Sequence, residues 1–138
     1  MRVLDRLDEL YAIGGGSRLA YTAEEDAAHE LAAGWMREAG LEVASDEVGN
    51  LLGRRGDARV WCGSHLDTVP DGGKFDGALG VIAAIEAAGR LADAPLAVVA
   101  FRAEESGPMG SRRLAEHPAA FLELHIEQGP MLERLGEP

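Results

Sequence analysis

The chain reads as an α/β protein built on a mostly parallel sheet. Three observations predict this. Strand-length apolar runs alternate with helix-length amphipathic segments, the pattern of strand–helix–strand units. Leu96 to Phe101 is apolar without interruption, as expected of a central strand covered on both faces. A glycine-rich stretch, residues 63–77, joins a strand-like segment at 59–62 to a helix-like one at 78–91.

Taken in order, Val3, Leu4, Leu7, Leu10 and Tyr11 recur at helical spacing, and Gly14, Gly15 and Gly16 end that helix. Thr22 reads as the N-cap of a second helix, with Glu25 completing a capping box. Ala28, Leu31, Trp35, Met36 and Ala39 form its core stripe, and Gly40 suits the residue after its end. His29 on this helix is expected at the surface. Residues 41–44 and 48–53 are short strands about a turn at Ser45 and Asp46, and 54–57 form a solvated turn. Beyond the glycine loop, the helix at 78–91 carries Leu79, Ile82, Ile85 and Ala88 on one face, and Pro95 marks the break after it. A short helix over 111–116 ends before Pro118, with His117 as a turn residue. The last strand is expected over 121–126, and Pro130 closes it.

A length of 138 residues allows one domain or part of one. With aromatics at 5%, Leu, Val and Ala must fill the core. Thirteen basic against 24 acidic residues give a net charge of −11. That balance argues against nucleic acid or an anionic membrane as partner and is compatible with cation binding. The single cysteine, Cys62, has no internal disulfide partner, and its apolar setting beside Val60 and Trp61 suggests a buried, inert thiol. No basic, apolar leader is visible, and no apolar run approaches the ~20 residues of a bilayer span. A cytoplasmic protein is the expectation.

In parallel sheets, ligands gather beyond the carboxyl ends of the strands. Three polar clusters fall there: His65 and Asp67 after the first central strand, Glu104 and Glu105 after the second, His125 and Glu127 at the end of the last. A histidine followed by an aspartate eleven residues on, without cysteine, suits a hydrolytic Zn²⁺ or Mn²⁺ site. A two-metal site needs a bridging carboxylate and terminal ligands on each ion. Asp76 could bridge, His65 and His125 could complete one ion, and Glu105 could serve the other. Glu104 would then be free to act as general base. Asp67 could hydrogen-bond the His65 imidazole and fix its tautomer.

The runs GSHLDTVPDGGKFDGALGV (residues 63–81), AEES (103–106) and LELHIEQGPMLE (122–133) resemble the amidase/hydantoinase/carbamoylase branch of the dinuclear-zinc aminoacylase and carboxypeptidase superfamily. This branch includes allantoate amidohydrolase, N-carbamoyl-L-amino-acid hydrolase and β-ureidopropionase. The likeness also takes in residues 35–41 and 49–51. It implies the N-terminal portion of a zinc-aminopeptidase-like, three-layer α/β/α catalytic domain, spanning residues 1–138 and lacking the lid and dimerisation domain. It implies that His65 and His125 bind one ion, Asp76 bridges, Glu105 binds the second ion, Glu104 is the base and Asp67 supports His65. Gln128 would lie near the substrate. The implied reaction is hydrolysis of a linear amide or ureido C–N bond, with ammonia and carbon dioxide released from carbamoyl substrates. The implied cofactors are two divalent ions, Zn²⁺ or Mn²⁺, with Co²⁺ or Ni²⁺ as further candidates.

The chain departs from that pattern in three places. Ser106, Gly107, Pro108 and Met109 stand where the family has Gly-x-Arg-Phe after the glutamate pair. Only 19 residues, 106–124, separate the pair from the histidine of the last motif. Finally, the chain stops at Pro138, before the family's second histidine of the second metal site, so that site is expected to be incomplete. The first reading is therefore a truncated amidohydrolase portion. Its alternative is a catalytically silent metal-binding fragment or interaction unit. A dipeptidase or aminoacylase is disfavoured by His125, where such relatives carry a carboxylate. An exposed core edge is expected to favour self-association.

Overall fold

The structure, a computed structural model, describes residues 2–137. Helix α1 (Arg2–Ala12) buries Leu7 and Leu10 and gives way to a 3₁₀ turn at Gly14–Gly16. Helix α2 (Ala23–Glu38) begins at Thr22, whose hydroxyl accepts the Glu25 amide at 3.5 Å. The reciprocal half of the capping box is displaced by one residue: the Glu25 carboxylate accepts the Tyr21 amide, at 2.5 Å, instead of that of Thr22. Gly40, with φ +77°, turns the chain out of α2 as expected.

The remaining elements are β1 (Glu42–Ser45), β2 (Leu51–Arg55), β3 (Val60–His65), α3 (Ala78–Arg90), β4 (Leu96–Phe101), α4 (Met109–Arg112), β5 (Ala120–Leu122) and α5 (Met131–Leu135). They build one five-stranded sheet of order β1-β2-β4-β3-β5. β3 runs parallel to both β4 and β5, and β2 is antiparallel to both β1 and β4. β2 alone therefore opposes the common direction. β3 and β4 sit at the centre, so their carboxyl ends, His65 and Phe101, lie side by side.

Helices α1, α2 and α3 share one core with one face of the sheet. Leu7, Leu10, Ala32, Met36, Val81, Ile82 and Ile85 meet Leu51, Val98 and Ala100 there. Full burial of each branched side chain in this set contributes about 1.5–3 kcal/mol. The alternate strand residues, Leu52, Trp61, Ala97 and Val99, form a smaller core on the opposite face. Ala58, Phe101 and Leu114 pack on it, and the Arg54 guanidinium lies 4.7 Å from the Trp61 ring centroid. Among the described residues every long helix lies on the first face.

Several sequence expectations shift for local reasons. β2 starts at Leu51 rather than residue 48, because Asp46 ties up the turn: its carboxylate accepts the amides of Val48 and Asn50 and the Asn50 side chain. Arg55 belongs to β2, not to a solvated turn. It donates to the carbonyls of Ala39, Ala88 and Leu91, closing the ends of α2 and α3. β3 extends to His65, held by pairing with β4 as far as Phe101. The short helix comes earlier, at Met109–Arg112, because Gly110 is fastened to Asn50 and to the Arg102 carbonyl. β5 ends at Leu122 instead of residue 126. Helix α5 was not expected; the Glu127 carboxylate caps it by accepting the amides of Met131 and Leu132. His29 is 7% exposed, a buried residue rather than a surface one. Cys62 is only half-buried; burial still pushes its thiol pKa up, in keeping with an inert group. No helix among the described residues is long and apolar enough to cross a membrane.

Candidate metal centre

His65 is the last residue of β3 and is nearly fully buried. Its Nδ1 donates to the main-chain carbonyl of Asp67 at 3.0 Å, since a carbonyl can only accept. That bond fixes the tautomer and turns Nε2 outward, 3.8 Å from Asp76 and 3.9 Å from Glu104. Asp67 therefore holds the imidazole chiefly through its backbone. One of its carboxylate oxygens lies 3.4 Å from Nδ1, and the two oxygens accept the amides of Glu104 and Glu105 at 2.9 and 3.0 Å.

The close approach of Asp76 depends on Gly77. Its φ is +61°, and a β-carbon there would lie 2.5 Å from the His65 carbonyl oxygen and 2.7 Å from the imidazole. Behind the site, Arg18 is fully buried. Its Nε donates to the Leu66 carbonyl, and its backbone exchanges hydrogen bonds with Thr68. Burial lowers the Arg18 pKa, and the negative charge of Asp67 works against that fall. This buried cation beside Asp67 left no signal in the sequence, because an arginine after a glycine run reads as a loop residue.

His65, Asp76 and Glu105 converge: each offers a ligand atom, and these atoms lie within 4.8 Å of one another. The cluster suits a cation. Both carboxylate oxygens of Asp76 and Oε1 of Glu105 are buried without a hydrogen-bond donor, a costly state for acceptors. Burial, then the neighbouring Asp76, pushes the Glu105 pKa up to about 7. Burial works against charge on His65, but Asp67 and Asp76 outweigh it and raise its pKa to about 9. Without an ion, protons on His65 and Glu105 offset the crowding of acids. An electron-poor divalent ion meeting one imidazole and two carboxylates is the chemistry this donor set fits.

The other sequence candidates fall outside that triad. Glu104 is half-exposed, and together with His65, Ser64, Phe101, Phe121 and His125 it lines a cavity of about 590 Å³. His125 is exposed on the rim of this cavity and is not part of the converging group. The cause is the brevity of β5. Its register pairs Leu122 with Cys62, so a ladder continued by three residues would bring His125 level with His65; the ladder stops short. Ser64 instead donates to the Glu123 carboxylate at 2.6 Å. Gln128 is exposed, with φ +59°, and does not line the cavity.

Comparison with known proteins identifies the family. The family model described as Peptidase family M20/M25/M40 matches residues 61–137. The N-carbamoyl-L-amino acid amidohydrolase of Geobacillus stearothermophilus is 36% identical over 197 residues, covering 99% of this chain and 48% of its own length. Allantoate deiminase of Arabidopsis thaliana is 34% identical, covering 78% of this chain and 32% of its own length. A crystal structure of a hydantoinase/carbamoylase family amidase from Burkholderia ambifaria is similar with a TM-score of 0.82 at 32% identity, over 98% of this chain and 47% of that one. The chain thus spans half or less of the length of these relatives. The Geobacillus alignment occupies 197 residues against 138 here, so roughly sixty positions within the matched span have no counterpart in this chain.

Proposed function

The chain belongs to the M20/M25/M40 peptidase family, on its hydantoinase/carbamoylase side, and from that premise we propose that residues 1–138 are the N-terminal portion of a metal-dependent catalytic domain that hydrolyses a linear amide or ureido C–N bond. The observation that carries this reading is the convergence of His65, Asp76 and Glu105 around buried acceptor oxygens that have no donor. In this reading Asp76, Glu105, His65 and His125 would hold the two divalent ions. Such ions, Zn²⁺ or Mn²⁺ with Co²⁺ or Ni²⁺ as further candidates, would supply Lewis acidity for a carbonyl and a lowered pKa for water when bound.

The chain's own residues divide the remaining work. Asp67 fixes the His65 tautomer through its carbonyl and holds the amides of both glutamates. Glu104, half-exposed on the cavity wall, would take a proton from the attacking water and return it to the leaving nitrogen. Gln128 would reach the substrate in this reading only after moving towards the cavity, since it stands exposed and outside the lining here. The substrate is a small ureido or amide compound of the N-carbamoyl amino acid or allantoate type, named for two of the relatives. The net charge of −11 supports neither a nucleic acid nor an anionic membrane as partner.

One observation favours the alternative, a catalytically silent metal-binding unit: His125 stands outside the converging group. Metal analysis together with turnover of N-carbamoyl amino acids and allantoate, on the parent and on His65→Ala, separates the readings. The expected result is firm retention of a first divalent ion and poor retention of a second, with both lost in His65→Ala. Metal retention without turnover selects the silent unit. Equal metal content in parent and variant removes the metal-centre reading altogether.

A further inference from the structure

The geometry points to Glu25, at the start of α2, as a positioning residue that aims the Glu104–Glu105 pair, deepening the function proposed above and resting on it. Four successive amides, 102 to 105, find their acceptors in side chains rather than in a strand or helix. The Arg102 amide donates to the Asn50 side-chain oxygen at 3.0 Å. The Ala103 amide donates to Glu25 Oε1 at 3.1 Å. The amides of Glu104 and Glu105 go to the two oxygens of Asp67. The three acceptors come from the starts of β2 and α2 and from just beyond β3.

Ala103 is the critical link. It is fully buried, and its φ is +51°, a left-handed conformation that a residue with a β-carbon keeps only when its surroundings impose it. The Met109 amide holds its carbonyl at 3.2 Å, and the group on its amide is Glu25. Its side chain is wholly buried and lies 78 positions away in sequence. Its second oxygen accepts the Tyr21 amide and sits 3.3 Å from the Arg102 guanidinium. Arg102 also pairs with exposed Asp26 and lies over the Tyr21 ring. A buried carboxylate that only capped α2 would have no need of the Ala103 amide. By fixing the turn one residue before Glu104, Glu25 sets where both glutamates point and whether Glu105 meets Asp76 and His65.

The test combines visible absorption of Co²⁺ titrated into the metal-free chain with hydrogen exchange of the metal-free chain itself. Glu25→Gln is expected to raise the Co²⁺ dissociation constant about tenfold and to alter the d–d bands, the scale seen when outer partners of metal ligands are removed. Asp26→Asn, which removes only the exposed partner of Arg102, leaves both unchanged. A Glu25→Gln chain with the parental dissociation constant and spectrum overturns the proposal, whatever its Tm. Should that variant fail to fold, Glu25→Asp, which keeps the charge and shortens the reach, is read in the same way. If the parent itself binds no Co²⁺, the metal-centre reading fails and exchange decides the clamp. Loss of protection at Ala103, Glu104 and Glu105, with β4 unchanged, upholds it; parental protection at those three amides overturns it.

Discussion

Asp76 carries two buried oxygens with no donor, facing a second carboxylate and an imidazole. Such a group costs stability unless a cation is present. Asp76→Asn gives up the attraction of the His65 imidazolium but relieves the larger crowding against Glu105, so it is expected to stabilise the metal-free chain by about 0.5–2 kcal/mol while abolishing firm divalent binding, the trade usual for functional groups. Urea unfolding of parent and variant in chelator checks this; a destabilised variant would show that Asp76 has partners of its own. His29 illustrates a different residue-scale effect. Burial first, and Arg102 next, lower its pKa to about 4, against opposing pulls from Asp67 and Asp26, and Glu25 lies 3.8 Å away. The unfolded chain takes up this proton near pH 6.5 and the folded chain only near 4. Stability tied to His29 is thus complete above about pH 6.5 and is lost as pH falls towards 4, by about 3 kcal/mol in all. Glu105, raised to about 7, acts in the opposite sense over part of that window, so the readout is the difference between parent and His29→Gln. If both lose the same stability between pH 7.5 and 4.5, the assignment fails. At this scale the sequence singled out His65, Asp76 and Glu105, and the fold brings these three together. It hid Glu25 and Asn50, whose roles depend on partners 78 and 52 positions away.

At the scale of elements, periodicity revealed nearly all the regular structure. Leu96–Phe101 and the helix from Ala78 stand where the apolar patterns put them, because burial on both faces or on one stripe leaves a direct trace. Boundaries set by side chains left none: Asp46 delays β2, and Gly110 advances α4. The largest discrepancy, β5, bears on function. Only residues 120–122 pair with β3, and His125 is left on the rim. If His125 is a ligand, loading the site should extend the parallel ladder by three residues, since the register already aligns residue 125 with 65. The expected outcome is slowed amide exchange within residues 123–125 on adding Zn²⁺ or Co²⁺, and no such slowing in His125→Ala. Unchanged exchange in a metal-loaded parent would leave His125 outside the coordination sphere.

For the molecule as a whole, the uneven cover of the sheet is the dominant physical fact. Three helices bury one face, while the other keeps a small core under Leu114 and Phe101. β5 pairs on one side only, and beside it Val60, Leu91, Leu122 and Leu124 line an apolar groove of about 400 Å³ with 42%, 55%, 63% and 54% of their surface exposed. The Geobacillus relative has roughly sixty further residues within the matched span. An open strand edge flanked by leucines is a template for pairing with another chain. Against this, a net charge of −11 opposes close approach of two copies at low salt, and salt screens that repulsion more than it weakens apolar contact. Self-association is therefore expected to strengthen as ionic strength rises, the reverse of an assembly held by surface ion pairs. Sedimentation velocity at low and high salt reads this directly, with Leu122→Lys as the variant that charges the edge without touching the triad. A monodisperse monomer at high salt, or a Leu122→Lys chain that associates as the parent does, would mean that the edge is already protected and that the sparse face of the sheet is sufficient as it stands.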